Sequence, residues 1–204
     1  MSLFKELSVK PWERKGIIGG LTAEGTFDTS PQKVALVFFV VVASVVFSLF
    51  TVSYIIRMEL PDWAPMSEPT QLWFNTGLLV LSSVFFQWAR NISKTESDKN
   101  VKTAFMGAGL FAIFFIIGQY MTWEALLAEG FYMSSDPATA FYYLLTGVHA
   151  VHLLGGLWVW STGLIRIISG VEPKELKLSI ELCAFYWHFL LIIWLIMFAL
   201  MANT

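Results

Sequence analysis

Along the chain, long uncharged apolar runs alternate with short polar stretches, and five runs dominate. They cover about 34–56, 72–88, 103–123, 138–165 and 180–201. The first lies between Lys33 and Arg57, the second between Glu68 and Arg90, the third between Lys102 and Glu124, and the fourth between Asp136 and Arg166. The fifth carries one acid, Glu181, near its start. A helix needs about 20 mostly apolar residues to cross a bilayer, so each run predicts one membrane-spanning helix. A closed β-barrel would also satisfy the backbone in lipid, but these runs lack the period-two alternation it requires. The expected fold class is all-α: an integral membrane bundle of five transmembrane helices. It occupies 34–204 as one domain, behind an N-terminal segment of residues 1–33.

Composition excludes the alternatives. Of the 204 residues, 56% are hydrophobic and 14% charged, with a mean hydropathy of +0.65. A soluble domain carries about 25% charged residues, so this chain has too little charge to cover its surface in water. A net charge of −2 argues against a nucleic-acid binder. A lone cysteine, Cys183, excludes a disulfide framework and any multi-cysteine metal site.

The basic residues set the expected topology. Lys5, Lys10, Arg14, Lys15 and Lys33 precede the first span, and Arg90, Lys94, Lys99 and Lys102 lie between the second and third. Arg166, Lys174 and Lys177 lie between the fourth and fifth, which leaves Arg57 alone on the other side. The positive-inside rule then puts the N-terminus in the cytoplasm and the C-terminus in the periplasm. The first 33 residues have no compact apolar core before a small-residue cleavage site, so a cytoplasmic lead-in is expected rather than a signal peptide. A short interfacial stretch is expected at Trp12 and Ile17-Ile18. Pro61 to Pro65 reads as a rigid outer turn with an interfacial Trp63, and Ser93 to Asn100 as a polar, mobile connection.

Ionisable side chains at membrane depth cost on the order of 2.5–3.5 kcal/mol, so each needs a partner or a purpose. Glu124, His149, His152, Glu181 and His188 form that set and include all three histidines. His149 and His152 are three apart, and Glu181 and His188 seven apart, so each pair shares a helix face. If their helices are adjacent, the five could form one buried polar network. Three uses stay open: a structural network pinning helices together, a proton relay, and a metal or haem site. The last lacks the paired Glu-x-x-His motif usual in di-metal bundles. Asn75, Ser82, Ser83 and Gln87 are weaker candidates for interhelical hydrogen bonds. Gly107, Gly109 and Gly118 on the third span, and Gly147, Gly155 and Gly156 on the fourth, fit close helix packing. They fit equally the general frequency of glycine in spanning helices.

These residues also carry a family pattern. Thr146 to Gly156, reading T-G-V-H-A-V-H-L-L-G-G, resembles the G-x-H-G-x-H-x-x-x-G segment of subunit III of haem–copper oxidases. Glu181 followed by Phe185-Tyr186-Trp187-His188-Phe189 and Trp194 is similar to that family's final helix. Gln119 to Glu124 resembles its Q-x-x-E-W/Y-x-E region, and Asn75-Thr76 with Leu81-Ser82-Ser83 its N-T-x-L-L-x-S-S helix. The likeness covers about Val34 to Ala202, with the five-span length of short bacterial members.

The resemblance implies an accessory, non-catalytic subunit of a cytochrome c oxidase-type complex in the bacterial inner membrane, with no redox centre of its own. Its partners would be subunits I and II, where the haem and copper reside, and structural phospholipids. Subunit I would reduce oxygen to water and pump protons, and this chain would stabilise it. Arg57 and Arg90, at span ends, are candidate lipid head-group contacts, because guanidinium suits phosphate. Two acids usual in the family are missing, where Val41 to Phe47 centre on Ser44 and where Leu191 stands. Their loss keeps open a subunit III-like partner of a quinol oxidase or nitric oxide reductase. A stand-alone transporter, with the His/Glu set as its ion site, is a further alternative, although no span is broken midway by proline.

Overall fold

The computed structural model describes residues 30–64, 69–94, 98–171 and 175–203, without the side chains of 98 and 99. Residues 1–29 of the expected lead-in, with Trp12 and Ile17-Ile18, therefore lie outside the described residues, as do Pro65 and 95–97. The described part is helical, with no strand among the described residues. Its elements are α1 (Pro31–Met58), α2 (Gln71–Ile92), α3 (Asp98–Ala128), α4 (Pro137–Ile168) and α5 (Lys177–Met201). All five are long and apolar enough to cross a membrane. Each runs past the apolar stretch that predicted it, because lipid limits the apolar stretch while the backbone stays helical into the polar border. The Ser93–Asn100 connection is shorter than expected for the same reason, since helix resumes at Asp98.

Caps end the helices where charge alone marks no end. Asp136 accepts the Thr139 N–H at 2.9 Å and Pro137 follows at the first helical position, a combination that starts a helix without an orphaned donor. Gly130 and Gly170 stop α3 and α4 at φ +91° and +90°, where a Cβ would be strained. Behind each, paired bonds run back into the last turn: Phe131 N–H to the Leu126 carbonyl, and Val171 N–H to that of Arg166.

The chain divides into two compact units, Met1–Val37 and Phe38–Thr204. Of the first, Ser30 and the opening turns of α1 are described, with the Ser30 carbonyl accepting the Lys33 and Val34 N–H groups. In the second, α2, α3, α4 and α5 close a ring in which each helix packs against the next and α5 returns to α2. Adjacent helices run antiparallel. Paired contacts show it: Asn75 meets Thr122 while Ser82 meets Ala108, Phe105 meets Trp160 while Gln119 meets Tyr142, His149 meets Trp194 while His152 meets Tyr186, and Thr76 meets Trp194 while Arg90 meets Glu181. The core is aromatic, with Trp187, Trp194, Tyr142, Phe86, Phe105 and Phe115 fully buried.

From Phe38 onward, α1 buries only Ala43, Phe47 and Tyr54. Phe39 and Phe47 reach rings of α4 and α5, and Tyr54 sits between Trp63 and Phe141 at 4.9 and 5.5 Å. Trp63 thus folds back as a clip joining the loop after α1 to α4. The loop is also clamped by both terminal nitrogens of Arg57, which bond the two Asp62 carboxylate oxygens. The guanidinium holds the Asp62 carboxyl below its usual range.

Candidate functional site

Most interhelical hydrogen bonds lie in seams between neighbouring helices, and the α2–α5 seam holds the most chemistry. Arg90 Nη2 bonds Glu181 Oε1 at 2.9 Å. Two turns further along α5, the His188 ring lies between Gln87 and Ser83. Its Nε2 is 2.9 Å from Gln87 Oε1 and its Nδ1 faces Ser83 Oγ. An amide oxygen only accepts, so Nε2 carries the ring proton and the Ser83 hydroxyl donates to Nδ1. Gln87 Nε2 then donates to Asn91 Oδ1 at 3.0 Å. Further along, Trp194 Nε1–H donates to Thr76 Oγ1 at 2.9 Å. Glu181 and His188 share a face, as their spacing requires, and that face is turned to α2.

The other seams follow the same rule. Between α2 and α3, Ser82 Oγ donates to the Ala108 carbonyl at 2.7 Å and Asn75 Nδ2 to Thr122 Oγ1 at 3.3 Å. Between α3 and α4, Gln119 Nε2 donates to Tyr142 Oη at 2.9 Å, Trp123 Nε1 to Thr146 Oγ1 at 3.2 Å, and Trp160 Nε1 to the Phe105 carbonyl at 2.8 Å. Between α4 and α5, Tyr186 Oη donates to the His152 carbonyl at 3.1 Å. Asn75, Ser82, Ser83 and Gln87 all make the interhelical bonds expected of them. The Thr76, Gln119, Tyr142 and Trp160 bonds were not read from the sequence; a polar atom on a helix otherwise turned inward was the available signal.

The five ionisable residues expected in one network occupy three places instead. Glu181 and His188 belong to the α2–α5 seam. His149 is buried, with its ring against Trp194, Phe115 and Phe47 at centroid distances of 5.3, 6.1 and 6.4 Å, and neither ring nitrogen has a hydrogen-bond partner among the described residues. His152 is half-buried beside Phe47 and Phe39. Its Nδ1–H donates to the Val148 carbonyl at 2.8 Å, one turn back in its own helix. Glu124 is exposed and accepts from Tyr120 Oη at 2.6 Å. Helix rotation explains the separation. Tyr186 and Trp187 take the face of α5 that meets Gly156 of α4. His188, a further ~100° around, is turned away from the α4 histidines. Among the described residues, no three His, Cys, Asp or Glu side chains converge.

Arg57 and Arg90 each face a carboxylate of the same chain, so a lipid head-group would compete with Asp62 or Glu181 for them. The Arg90–Glu181 side chains are 30% and 32% exposed, which screens the pair. Removing either partner is expected to cost about 1 kcal/mol, with a coupling of about 0.5 kcal/mol in a double-mutant cycle. Thermal melts of Arg90→Ala, Glu181→Ala and the double variant in one detergent measure it; strictly additive losses would show that the pair does not hold α2 to α5.

Comparison with known proteins adds the family. The model described as cytochrome c oxidase subunit III matches residues 20–202. A probable cytochrome c oxidase subunit 3 of Nocardia farcinica is 30% identical over 158 residues, covering 74% of this chain and 76% of that protein. A Mycobacterium tuberculosis protein of the same description is 33% identical over 90 residues, 44% of each chain. Cytochrome c oxidase subunit 3 of Locusta migratoria is 28% identical over 165 residues, 76% of this chain and 60% of that one.

Proposed function

Because the chain belongs to the cytochrome c oxidase subunit III family, we propose that it is the accessory, non-redox subunit of a bacterial respiratory haem–copper oxidase. It is a multi-pass membrane protein of an oxidoreductase complex, and its family implies association with the other oxidase subunits. The finer role is to brace subunit I, which carries the haem and copper, and to hold phospholipid beside it. The observation that carries it is the α2–α5 seam. Arg90 bonds Glu181, and separately Ser83 and Gln87 bond His188, across the two helices. These polar groups hold α2 to α5, as a rigid brace requires. A groove of about 210 Å³ between α1 and α5, lined by Phe47, Ser48, Thr51, Val52, Ile193, Ile196 and Met197, has the largely apolar walls that suit an acyl chain. We place the N-terminus in the cytoplasm, on the distribution of Lys and Arg.

The test is purification in mild detergent through a tag on the N-terminus, followed by mass spectrometry and a reduced-minus-oxidised spectrum. Stoichiometric haem-bearing chains with a terminal-oxidase spectrum are expected. An oxidase prepared without this subunit is expected to start at a comparable rate and lose activity faster during turnover. A monodisperse chain that brings down no haem protein would end the proposal, and ion flux in liposomes holding only this chain would replace it with transport. A second reading, a partner of a quinol oxidase or nitric oxide reductase, draws on the missing acids at Ser44 and Leu191. The hydroxyl of Ser44 bonds the Val40 carbonyl of its own helix at 2.7 Å, and Leu191 is partly buried against the core. The same spectrum separates the two readings.

A further inference from the structure

The outward side of α3 carries a carboxylate, which no other helix exposes among the described residues. Met106, Leu110, Ile113, Ile117, Tyr120 and Leu127 are all exposed there, at alternating steps of three and four, and Glu124 completes the same row. That spacing makes a straight seam of the kind a second helix packs against. The outward residues of α1 are mostly Val, Phe, Leu and Ile, with the small hydroxyls of Ser48 and Ser53, and those of α5 include Ile192, Leu195 and Ile196. Such surfaces are at home against lipid tails.

Glu124 is not. Two carboxylates on the spanning helices have described side chains, Glu181 and Glu124. Glu181 is paired with Arg90. Glu124 accepts a bond from Tyr120 and pairs with no Lys or Arg among the described residues. Helical side chains lean toward the N-terminus of their helix, and the bond to Tyr120 draws the Glu124 carboxylate one turn back into the span rather than out toward the loop. The result is a negative group with one neutral donor, set in an apolar row that also holds Met and Tyr, residue types favoured in protein contacts.

We propose that this stripe of α3 is a docking seam for a membrane-spanning helix of a partner subunit, which presents a basic side chain to Glu124. The proposal rests on the subunit reading above and names the surface that reading requires. Charge complementarity selects a protein helix over lipid: a Lys or Arg opposite Glu124 supplies the charge-assisted bond that this chain does not, and the apolar row on either side excludes water from it.

The test uses the intact complex. Ile117→Cys lies in the middle of the seam, and the native Cys183 is 5% exposed, so a thiol-reactive benzophenone goes to the introduced thiol. Irradiation is expected to join this chain to a haem-bearing subunit. In parallel, Glu124→Lys is expected to lower the haem-bearing partner retained per chain about tenfold, while Glu124→Gln, which keeps the Tyr120 bond, loses less. Adducts to lipid only, or to a second copy of this chain, in a preparation that still holds the haem subunits would overturn the seam and leave the subunit reading intact. Unchanged retention with Glu124→Lys would equally overturn it. Absence of haem-bearing chains from the wild-type preparation would remove both.

Discussion

Gly109→Ala is expected to unfold this bundle more readily than any other glycine-to-alanine change in it. A Cβ built at Gly109 would lie 2.0 Å from Cε2 and 2.1 Å from Cζ2 of Trp160, well inside van der Waals contact. The indole cannot step aside cheaply. Its Nε1–H donates to the Phe105 carbonyl at 2.8 Å, and the ring lies against Phe105 at a centroid distance of 6.2 Å. The methyl must therefore push α3 and α4 apart or break the indole bond, a loss of about 3 kcal/mol. The measurement is the thermal midpoint in a single detergent, with Gly155→Ala as the control. No atom lies within 4 Å of a Cβ at Gly155, and alanine is the better helix former, so that variant should melt at or slightly above wild type. Equal midpoints for the two variants would mean that α3 and α4 do not meet through Gly109.

Trp194→Ala carries the second large effect. Trp194 is fully buried on α5 and touches each of the other ring helices. Its indole donates to Thr76 on α2, meets Phe115 on α3 edge-on at 4.9 Å, and lies over His149 on α4 at 5.3 Å. Truncation leaves a cavity at the point where the four helices converge, and a loss of about 3–5 kcal/mol is expected. Trp194→Phe separates packing from hydrogen bonding. It keeps an aromatic ring in the site and deletes the bond to Thr76, for about 1 kcal/mol. A melt series of wild type, Trp194→Phe and Trp194→Ala checks the order. Similar losses for Phe and Ala would place the contribution of Trp194 in its hydrogen bond instead of its volume.

Glycine shows where reading from sequence stops. Six glycines on the third and fourth spans invited close packing, and nothing in their order ranked them. In the bundle, Gly109 meets Trp160, Gly118 meets Asn75, Gly156 meets Tyr186 and Trp187, and Gly107 meets Phe85, all closer than a Cβ allows. Gly147 and Gly155 meet no such neighbour. Gly155 and Gly156 are adjacent in the chain, yet a turn of ~100° per residue puts one against α5 and the other outside. The same turn decided the histidines. His149 and His152 share a helix face by spacing, but His149 enters the aromatic core while His152 lies beside Phe39 and Phe47.

The α2–α5 seam was half legible. The pairing of Glu181 with His188 on one face followed from seven-residue spacing, and Ser83 and Gln87 were legible as interhelical donors or acceptors. That Arg90 would face Glu181, 91 residues on in sequence, and not a lipid head-group, depended on the antiparallel register of their two helices. Glu124 was placed with the wrong companions for the same reason: its face of α3 points out of the ring.

What the sequence determined by itself was whatever lipid or chemistry imposes locally. Five apolar runs must become five helices, because unsatisfied backbone groups are too costly in a bilayer. Motif spacing within single helices sufficed to mark the subunit III family, since a motif is a one-dimensional pattern. Only the tertiary structure decided which polar group meets which. Between spanning helices in lipid there is little hydrophobic drive to choose a face. Rotation and register are set by shape, by the indoles of Trp160 and Trp187 that fit against Gly109 and Gly156, and the polar side chains bond to whatever neighbour that fit brings within reach.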